Sequence, residues 1–308
     1  MRILVVGAGG VGGYFGGRLA EAGADVTFLV RPARAARLVS TGLVILSPRG
    51  DFHEPSPRLI GAGAVGGEAF DLVLLSCKAY DLADAIESFA PAVGDTTLVL
   101  PLLNGLAHLD ALDDRFGAAQ VLGGQCVISA TLDPEGRILH LNDTDALTFG
   151  ARFGGQQARA QAMAAGFAGA RFVTQLSPAI MQEMWEKWVF IAALAGMTCL
   201  MRAGISDIEA AGGGGLALSL LAECAAIAAS RGFAPREAAV QRMRGTLTAP
   251  GAALKASMLR DIEAGRRTEA EHIIGELLRR CAAGEASPVL ETVAIHLRAY
   301  ERVRQRGV

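Results

Sequence analysis

The N-terminus carries the feature that most constrains the fold of this chain: a short apolar run followed directly by spaced glycines. Residues 3–6, Ile-Leu-Val-Val, have the composition of a buried parallel strand. Gly7, Gly9 and Gly12 follow at the spacing G-x-G-x-x-G. At this spacing the first glycine allows a tight turn, the second lets the backbone approach a pyrophosphate, and the third lets the next helix pack on the strand. The pattern therefore predicts a nucleotide-binding turn rather than a merely glycine-rich loop.

The segment after the glycines completes a β-α-β unit. The pattern predicts a helix over 12–22, ended by Gly23, and a second strand over 25–30. The N-terminus of such a helix offers backbone N–H groups and a positive dipole end to phosphate oxygens. The candidate phosphate contacts therefore include Gly10 and Val11 as well as the three spaced glycines.

The end of the second predicted strand indicates which dinucleotide is bound. A carboxylate about 20 residues past the glycines would hold the ribose 2′-hydroxyl of NAD. Here the strand ends in Arg31, with Arg34 close behind and no acid at the tip. Because a planar guanidinium suits a 2′-phosphate, NADPH is favoured over NADH. The alternative is that Arg31 is an ordinary solvated surface arginine.

Composition excludes several other classes of protein. The 308 residues are 51% hydrophobic with a net charge of −2, which implies no bulk attraction to nucleic acid or anionic membrane. Five dispersed cysteines without a C-x-x-C pair indicate a reduced, cytoplasmic compartment. The apolar stretch 188–201 is too short to span a bilayer and predicts a buried core helix. No metal site is expected, since the histidines are scattered and the Glu269–His272 pair is typical of a surface contact.

The order of predicted elements divides the chain near residue 177. Residues 1–177 alternate strands and helices, which predicts an α/β Rossmann-type doubly wound parallel sheet with a mixed edge. Residues 178–308 predict an all-α substrate and dimerisation domain that begins at the N-cap Ser177 and Pro178. Further strands are predicted over 43–46, 71–77, 97–102, 121–130, 137–142, 146–151 and 171–174, and a glycine-rich link over 61–67. Further helices are predicted over 82–89, 157–167, 178–201, 217–230, 235–243, 258–264, 268–283 and 288–304, with a loop over 212–215.

Four polar residues stand where chemistry is possible. Lys78 and Asn104 directly follow predicted strands, and ligands of open α/β sheets bind beyond such carboxyl ends. Either could instead make only local loop hydrogen bonds. Lys187 precedes a long apolar run, so it is either a helix-face lysine with a buried stem or a proton donor. Glu269 follows Ser257 and Asp261 across a predicted helix–turn–helix, and acids in such positions are commonly solvated.

Several motifs together resemble one family, the ketopantoate reductases (2-dehydropantoate 2-reductases). They are the N-terminal glycines, Lys78, Asn104-Gly105, Trp185-x-Lys187, and Ser257-Met258-Leu-x-Asp261-Ile followed by Gly265-Arg-x-Thr268-Glu269. The resemblance implies NADPH-dependent reduction of 2-dehydropantoate to pantoate, a precursor of pantothenate.

The resemblance also implies a role for each matching residue. Lys187 would be the general acid, and Glu269 would hold the substrate hydroxyl or support the lysine. Ser257 would bind the substrate carboxylate, with Asn104 and Lys187 also on the substrate. Lys78 and Asn104 would line the nicotinamide end of the cleft, and Arg31 would meet the 2′-phosphate.

The chain departs from the family pattern at three positions. Ile191, Ala195 and Leu254 stand where the family carries asparagines. A site that loses amides discriminates less well between hydroxylated substrates. The same reduction of a bulkier or less polar 2-oxo acid is therefore an alternative, and a non-catalytic NADPH-binding sensor is another. A homodimer is expected from the Ala- and Leu-rich helical half.

Overall fold

The computed structural model describes residues 1–66, 70–251, 253–282 and 286–307. The chain forms two compact units. The first comprises Met1–Leu103 and His108–Met181, and the second comprises Asn104–Ala107 and Gln182–Val308. The sequence pattern predicts one domain boundary, near residue 177. It does not predict that the short segment Asn104–Ala107 belongs to the second unit.

The strands of the first unit build two sheets. They are β1 (Arg2–Val6), β2 (Asp25–Leu29), β3 (Leu43–Leu46), β4 (Phe52–Glu54), β5 (Arg58–Ile60), β6 (Leu72–Leu75), β7 (Leu98–Pro101), β8 (Gly123–Leu132), β9 (Ile138–Gly150) and β10 (Val173–Leu176). The first sheet has the order β5-β2-β1-β6-β7, and all its pairs are parallel. β1 and β6 are buried along almost their whole length, as expected for a parallel sheet covered on both faces.

The remaining strands form a separate mixed sheet, not the mixed edge of one sheet that the sequence predicts. Its order is β10-β9-β3-β4, with β8 antiparallel to β9. The two strands predicted over 137–142 and 146–151 are one strand, β9. The polar stretch inside β9 resembles a break in the sequence, but pairing with β8 continues past it through a register shift between Ile128 and Ala130.

Helices on the first unit place the glycine turn. They are α1 (Gly10–Glu21), α2 (Pro32–Thr41), α3 (Leu82–Phe89), α4 (Ala107–Phe116) and α5 (Gln157–Gly166). α1 packs between the two sheets, and one core cluster contains Ile3 and Phe28 from the first sheet with Ile45 and Phe149 from the second. The sequence pattern does not predict α2 or α4. The charged composition of both helices conceals them, although Pro32 at the first position of α2 is a recognised start signal.

The described residues of the second unit form helices and connecting loops and contain no strand. Its α-helices are α6 (Ile180–Met201), α7 (Ile205–Ala210), α8 (Gly214–Ser230), α9 (Glu237–Leu247), α10 (Ser257–Glu263), α11 (Glu276–Arg279) and α12 (Pro288–Gln305). A π-helix, Glu271–Gly275, precedes α11 and replaces the first part of the single helix predicted over 268–283. α7 is not predicted, and α8 begins inside the predicted loop 212–215. Two predicted ends, Gly67 and Ala283, lie outside the described residues.

Among the described residues, one helix, α6, is long and apolar enough to cross a membrane by length and composition. However, 72% of its apolar window is buried inside the protein, as in the core helix of a folded domain. Trp188, in its middle, is almost completely buried. α6 therefore has the burial that a core helix needs.

Candidate functional site

The spaced glycines form a tight turn between β1 and α1. Gly7 has a φ of +94°, a backbone conformation that strains any side chain. A Cβ on Gly12 would lie 2.0 Å from the Oγ of Ser76 and 2.2 Å from the carbonyl oxygen of Gly7, so α1 can approach this closely only with glycine there. A Cβ on Gly9 would meet no atom within 4 Å, so the backbone of Gly9 faces open space. A tight turn, a close helix and an open backbone are what a pyrophosphate requires.

The first turn of α1 presents its amides to that space. The backbone N–H of Gly13 donates to the carbonyl of Gly9 at 2.9 Å, which is the first bond of the helix. The N–H groups of Gly10, Val11 and Gly12 precede it and so have no acceptor within the helix. None of these described residues in the first turn is acidic. The positive end of the helix dipole is thus available to an anion, and this turn fits a dinucleotide pyrophosphate.

A carboxylate that the sequence analysis does not predict lies beside Arg31. The Nη2 of Arg31 is 3.0 Å from the Oδ1 of Asp81. Asp81 comes from the turn after β6, so the spacing rule for the end of β2 could not find it. The hydrogen bond to Asp81 raises the pKa of Arg31 and keeps the guanidinium charged. The Arg31 side chain is still 69% exposed, so a 2′-phosphate could reach it in competition with Asp81.

Arg34 lies against the glycine turn but is held by backbone carbonyls. Its Nε donates to the carbonyl of Ala8 at 2.8 Å, and its Nη1 donates to the carbonyl of Gly136 at 2.8 Å. Burial lowers the pKa of Arg34, and nearby Arg37 lowers it further. Arg34 thereby ties the glycine turn to the turn between β8 and β9. Arg31 is the more accessible of the two guanidinium groups.

Lys78 lies where the sequence predicts, directly beyond the carboxyl end of β6. Its side chain is exposed, and its carbonyl accepts from the N–H of Asp81 at 2.9 Å. Ser76, two residues before it, donates from Oγ to the carbonyl of Gly7 at 3.1 Å. Lys78, Asp81 and Arg31 thus stand in the first unit, close in the chain or in space to the glycine turn. Asn104, the other predicted strand-end residue, belongs to the second unit.

Lys187 is half-buried on α6, next to an acid that is already paired. The carboxylate of Glu186 forms two short bonds with Arg236, Oε1 to Nε at 2.7 Å and Oε2 to Nη2 at 2.6 Å. Burial raises the pKa of Glu186, but its hydrogen bonds with Arg236 outweigh that effect and lower it. Glu186 is therefore an ionised partner of Arg236.

A buried hydrogen bond links the helix of Lys187 to the π-helix. Trp188, the residue after Lys187, donates from Nε1 to the carbonyl of Ile273 at 2.9 Å. Ile273 lies within Glu271–Gly275, a segment that begins two residues past the predicted site residue Glu269. Because this bond is buried, it fixes the position of the π-helix relative to α6.

Glu269 is held by bonds on both sides. Both the backbone N–H and the Oγ1 of Thr268 donate to the Oε1 of Glu301 on α12 at 2.7 Å. The carbonyl of Glu269 accepts from the N–H groups of His272 at 3.1 Å and Ile273 at 3.0 Å. The backbone that carries the Glu269 side chain is therefore fixed.

The Asn104–Gly105 turn packs against His272, which the sequence analysis treats only as a surface contact. Gly105 has a φ of +78°. A Cβ on Gly105 would lie 3.2 Å from the His272 carbonyl oxygen and 3.3 Å from its Cδ2. The His272 ring also hydrogen bonds to the backbone of Asn104, while burial lowers the pKa of His272. No sequence motif indicates the contact between His272 and Asn104, because it exists only when the short segment Asn104–Ala107 belongs to the second unit.

Comparison with known proteins assigns the family. The profile described as "Ketopantoate reductase PanE/ApbA" matches residues 3–153, and its C-terminal counterpart matches residues 179–301. Together the two matches cover most of the chain. The chain belongs to the ketopantoate reductase family.

Individual relatives agree over the full length. An uncharacterized oxidoreductase, YkpB, of Bacillus subtilis is 40% identical over 303 residues, 98% of this chain and 99% of the relative. The crystal structure of 2-dehydropantoate 2-reductase from Geobacter metallireducens has a TM-score of 0.88 at 29% identity, covering 97% of this chain and 99% of that one. A ternary structure of D-mandelate dehydrogenase with NADH and anilino(oxo)acetate has a TM-score of 0.89, covering 99% and 100%, but at 20% identity it shows a common fold only. The predicted Rossmann-type domain followed by an all-α domain is confirmed.

Within this ketopantoate reductase family member, the departures from the family pattern have clear positions. Ile191 and Ala195 lie four and eight residues after Lys187 on α6, hence on the same face of the helix. Ile191 is half-buried and Ala195 is 2% exposed. Leu254 accepts from the N–H of Ile205 through its carbonyl at 3.1 Å, so its backbone is structural. The helix face that begins at Lys187 is apolar beyond it.

Ser257 is the first residue of α10. Its side chain is exposed, whereas the following Met258 and Leu259 are buried. The two apolar side chains anchor the helix, and the serine hydroxyl is accessible to a ligand. This placement is compatible with the carboxylate contact that the resemblance implies.

Proposed function

We propose that this oxidoreductase is an NADPH-dependent reductase of a 2-oxo acid, with the reduction of 2-dehydropantoate to pantoate as the leading reaction. The observation that carries the proposal is the buried Trp188–Ile273 hydrogen bond. It joins the helix of Lys187 to the segment that carries Glu269, in a chain whose N-terminal turn fits a dinucleotide. A proton donor and a supporting carboxylate thus belong to one fixed framework.

Lys187 is the proton donor in this proposal. A bound nicotinamide supplies a hydride for the ketone carbon. The ammonium group of Lys187 stabilises the negative charge that develops on the ketone oxygen and then protonates it. Glu269 holds the substrate hydroxyl or supports the lysine, and Ser257 binds the substrate carboxylate. General acid catalysis of this kind contributes roughly 10²–10⁴-fold to the rate.

The proposed cofactor contacts all lie in the first unit apart from Asn104. The amides of Gly10, Val11 and Gly12 bind the pyrophosphate, and Gly7 and Gly9 leave room for it. Arg31 binds the 2′-phosphate of NADPH. Lys78 and Asn104 contact the nicotinamide end. Arg31 is paired with Asp81. We therefore expect a weaker preference for NADPH over NADH than an arginine without a carboxylate partner would give.

A less polar 2-oxo acid is the second candidate substrate. The apolar Ile191 and Ala195 on the Lys187 face of α6 favour it, because amides there would bind the hydroxyl that ketopantoate carries in addition to its ketone. D-mandelate dehydrogenase, which shares the fold, was solved with an aryl-substituted oxo acid, anilino(oxo)acetate. The turnover of a branched aliphatic or aryl 2-oxo acid should therefore be measured beside the turnover of ketopantoate.

The test is the oxidation of NADPH by the purified full-length protein with a panel of 2-oxo acids. The panel contains ketopantoate, its analogue without the hydroxyl, and an aryl 2-oxo acid, with NADH as the control cofactor. Strong preference for ketopantoate supports the leading reaction. Preference for the analogue or the aryl acid supports the second candidate. NADPH binding without turnover of any acid overturns both and supports the sensor that the sequence analysis leaves open.

Two expectations stay predictions. A homodimer would be checked by light scattering of the purified protein, and the cytoplasmic location by fractionation of the source cells. Neither enters the mechanism.

A further inference from the structure

The π-helix Glu271–Gly275 is held from two sides. Glu271 accepts at Oε1 from the Nε of Arg298 on α12 at 2.6 Å, and Ile273 accepts from Trp188 on α6. π-helical turns are rare and occur frequently at functional sites. Here the turn follows Glu269 and contains His272. A side chain in this segment therefore has a defined position relative to α6.

His272 contacts both residues of the Asn104–Gly105 turn. Its ring hydrogen bonds to the backbone of Asn104, a bond that favours the protonated ring and so is donated by a ring N–H to the carbonyl. Its ring and carbonyl lie where a Cβ of Gly105 would be in tight contact. The positive φ of Gly105 gives the turn a shape that fits against the ring. The turn reaches the second unit as a segment of only four residues, Asn104–Ala107.

We propose that His272 is a positioning residue, which holds the Asn104–Gly105 turn so that the Asn104 side chain meets the nicotinamide and the oxo acid in productive geometry. This inference rests on the proposed reductase function. His272 acts through Asn104 and takes no part in proton transfer. Lys187 stays the proton donor, and the shared π-helix sets the Asn104 turn in one framework with Trp188 and Glu269.

A double-mutant cycle tests this role. His272→Leu removes the ring N–H, and loss of a neutral hydrogen bond predicts a decrease of about fivefold in kcat/KM for the oxo acid. In an Asn104→Ala background the same replacement is expected to change kcat/KM by less than about twofold, because coupled residues are not additive. His272→Asn or His272→Gln, which keep an amide N–H, should restore part of the loss. His296→Gln, at a half-buried histidine of α12, is the matched control and should behave as the wild type.

A second readout does not need turnover. Hydrogen exchange of the backbone amides in residues 104–107 should be about fivefold faster in His272→Leu than in the wild type and unchanged in His296→Gln. Equal effects of His272→Leu in both backgrounds, or unchanged exchange, would overturn the positioning role. If the wild type reduces no oxo acid, the proposed function fails, and the exchange measurement alone decides whether His272 holds the turn.

Discussion

The glycine turn of the first unit and the Lys187 segment of the second are built in opposite ways. The glycine turn uses contiguous residues, Gly7 to Gly12, and offers backbone amides and open space. In the proposal, the Lys187 segment uses side chains from α6, from residues near the π-helix and from Asn104–Ala107, which are far apart in the chain. A site made of backbone is damaged by added atoms. A site made of side chains is damaged by removed groups.

Removal of the proton donor should give the largest effect. Lys187→Ala is expected to lower kcat by roughly 10²–10⁴-fold, because the charge on the ketone oxygen loses its acid. Lys187→Arg keeps a cation but should lose nearly as much, since a guanidinium does not release its proton. Steady-state kinetics with saturating NADPH measure both variants. A kcat for Lys187→Ala within threefold of wild type would assign the proton donor to another group.

Addition of a methyl group should separate the roles of two glycines. Gly12→Ala places its Cβ 2.2 Å from a backbone oxygen and is expected to lower the free energy of unfolding by about 1–3 kcal/mol. Gly9→Ala meets no neighbour and should leave stability nearly unchanged, yet weaken NADPH binding because the methyl group occupies the approach of the pyrophosphate. Denaturant unfolding and NADPH titration measure the two properties. Normal NADPH affinity in Gly9→Ala would contradict the proposed site.

The same difference explains what the sequence could predict. The turn from Gly7 to Gly12 is legible because its function depends on local spacing and backbone conformation. Lys187 and Glu269 carry no such signal: unaided, each is as compatible with a solvated surface position, and their roles come from family resemblance. The residues that pair with Arg31 and with Asn104 can be found only from the tertiary structure. Asp81 reaches Arg31 from another strand, and His272 meets Asn104 only because a four-residue segment belongs to the other unit.

The mixed sheet shows a similar limit. Residues 137–150 carry both an apolar and a polar stretch, and local periodicity divides them into two strands. Continuous pairing with β8 overrides that division, since strand propensity depends on the partner strand.

Cofactor preference should respond to both members of the Arg31–Asp81 pair. Arg31→Ala is expected to weaken NADPH binding by about tenfold, through the loss of a charge-assisted bond at an exposed position, with little change for NADH. Asp81→Asn should move the preference the other way by a few fold, because the guanidinium loses its competing carboxylate. Dissociation constants for the two cofactors measure this ratio. An unchanged ratio in Arg31→Ala would place the 2′-phosphate elsewhere, and Arg34→Ala would be examined next.

The smallest effect concerns the pH dependence of stability. Burial lowers the pKa of His272, against the opposing effects of Glu269, the Asn104 backbone and Glu276; Arg279 adds to the lowering. The folded protein therefore binds a proton at His272 less readily than the unfolded chain. Stability from the neutral ring is complete above the unfolded pKa of about 6.5 and decreases as pH falls below it, with a slope of at most about 1.4 kcal/mol per pH unit.

Urea unfolding of the wild type and His272→Gln at about pH 7.5 and about pH 5.5 should show the difference. The wild type is expected to lose more stability over this window than His272→Gln, which has no ring to protonate. The carboxylates whose pKa is lowered by their partners, Glu186, Glu271 and Glu301, have an ordinary value of 4.5 and lose their contribution only at lower pH. Equal losses in the two proteins would mean that folding does not lower the proton affinity of His272. The His272 ring would then be hydrated in the native state, and a hydrated ring would not hold the Asn104–Gly105 turn in one position.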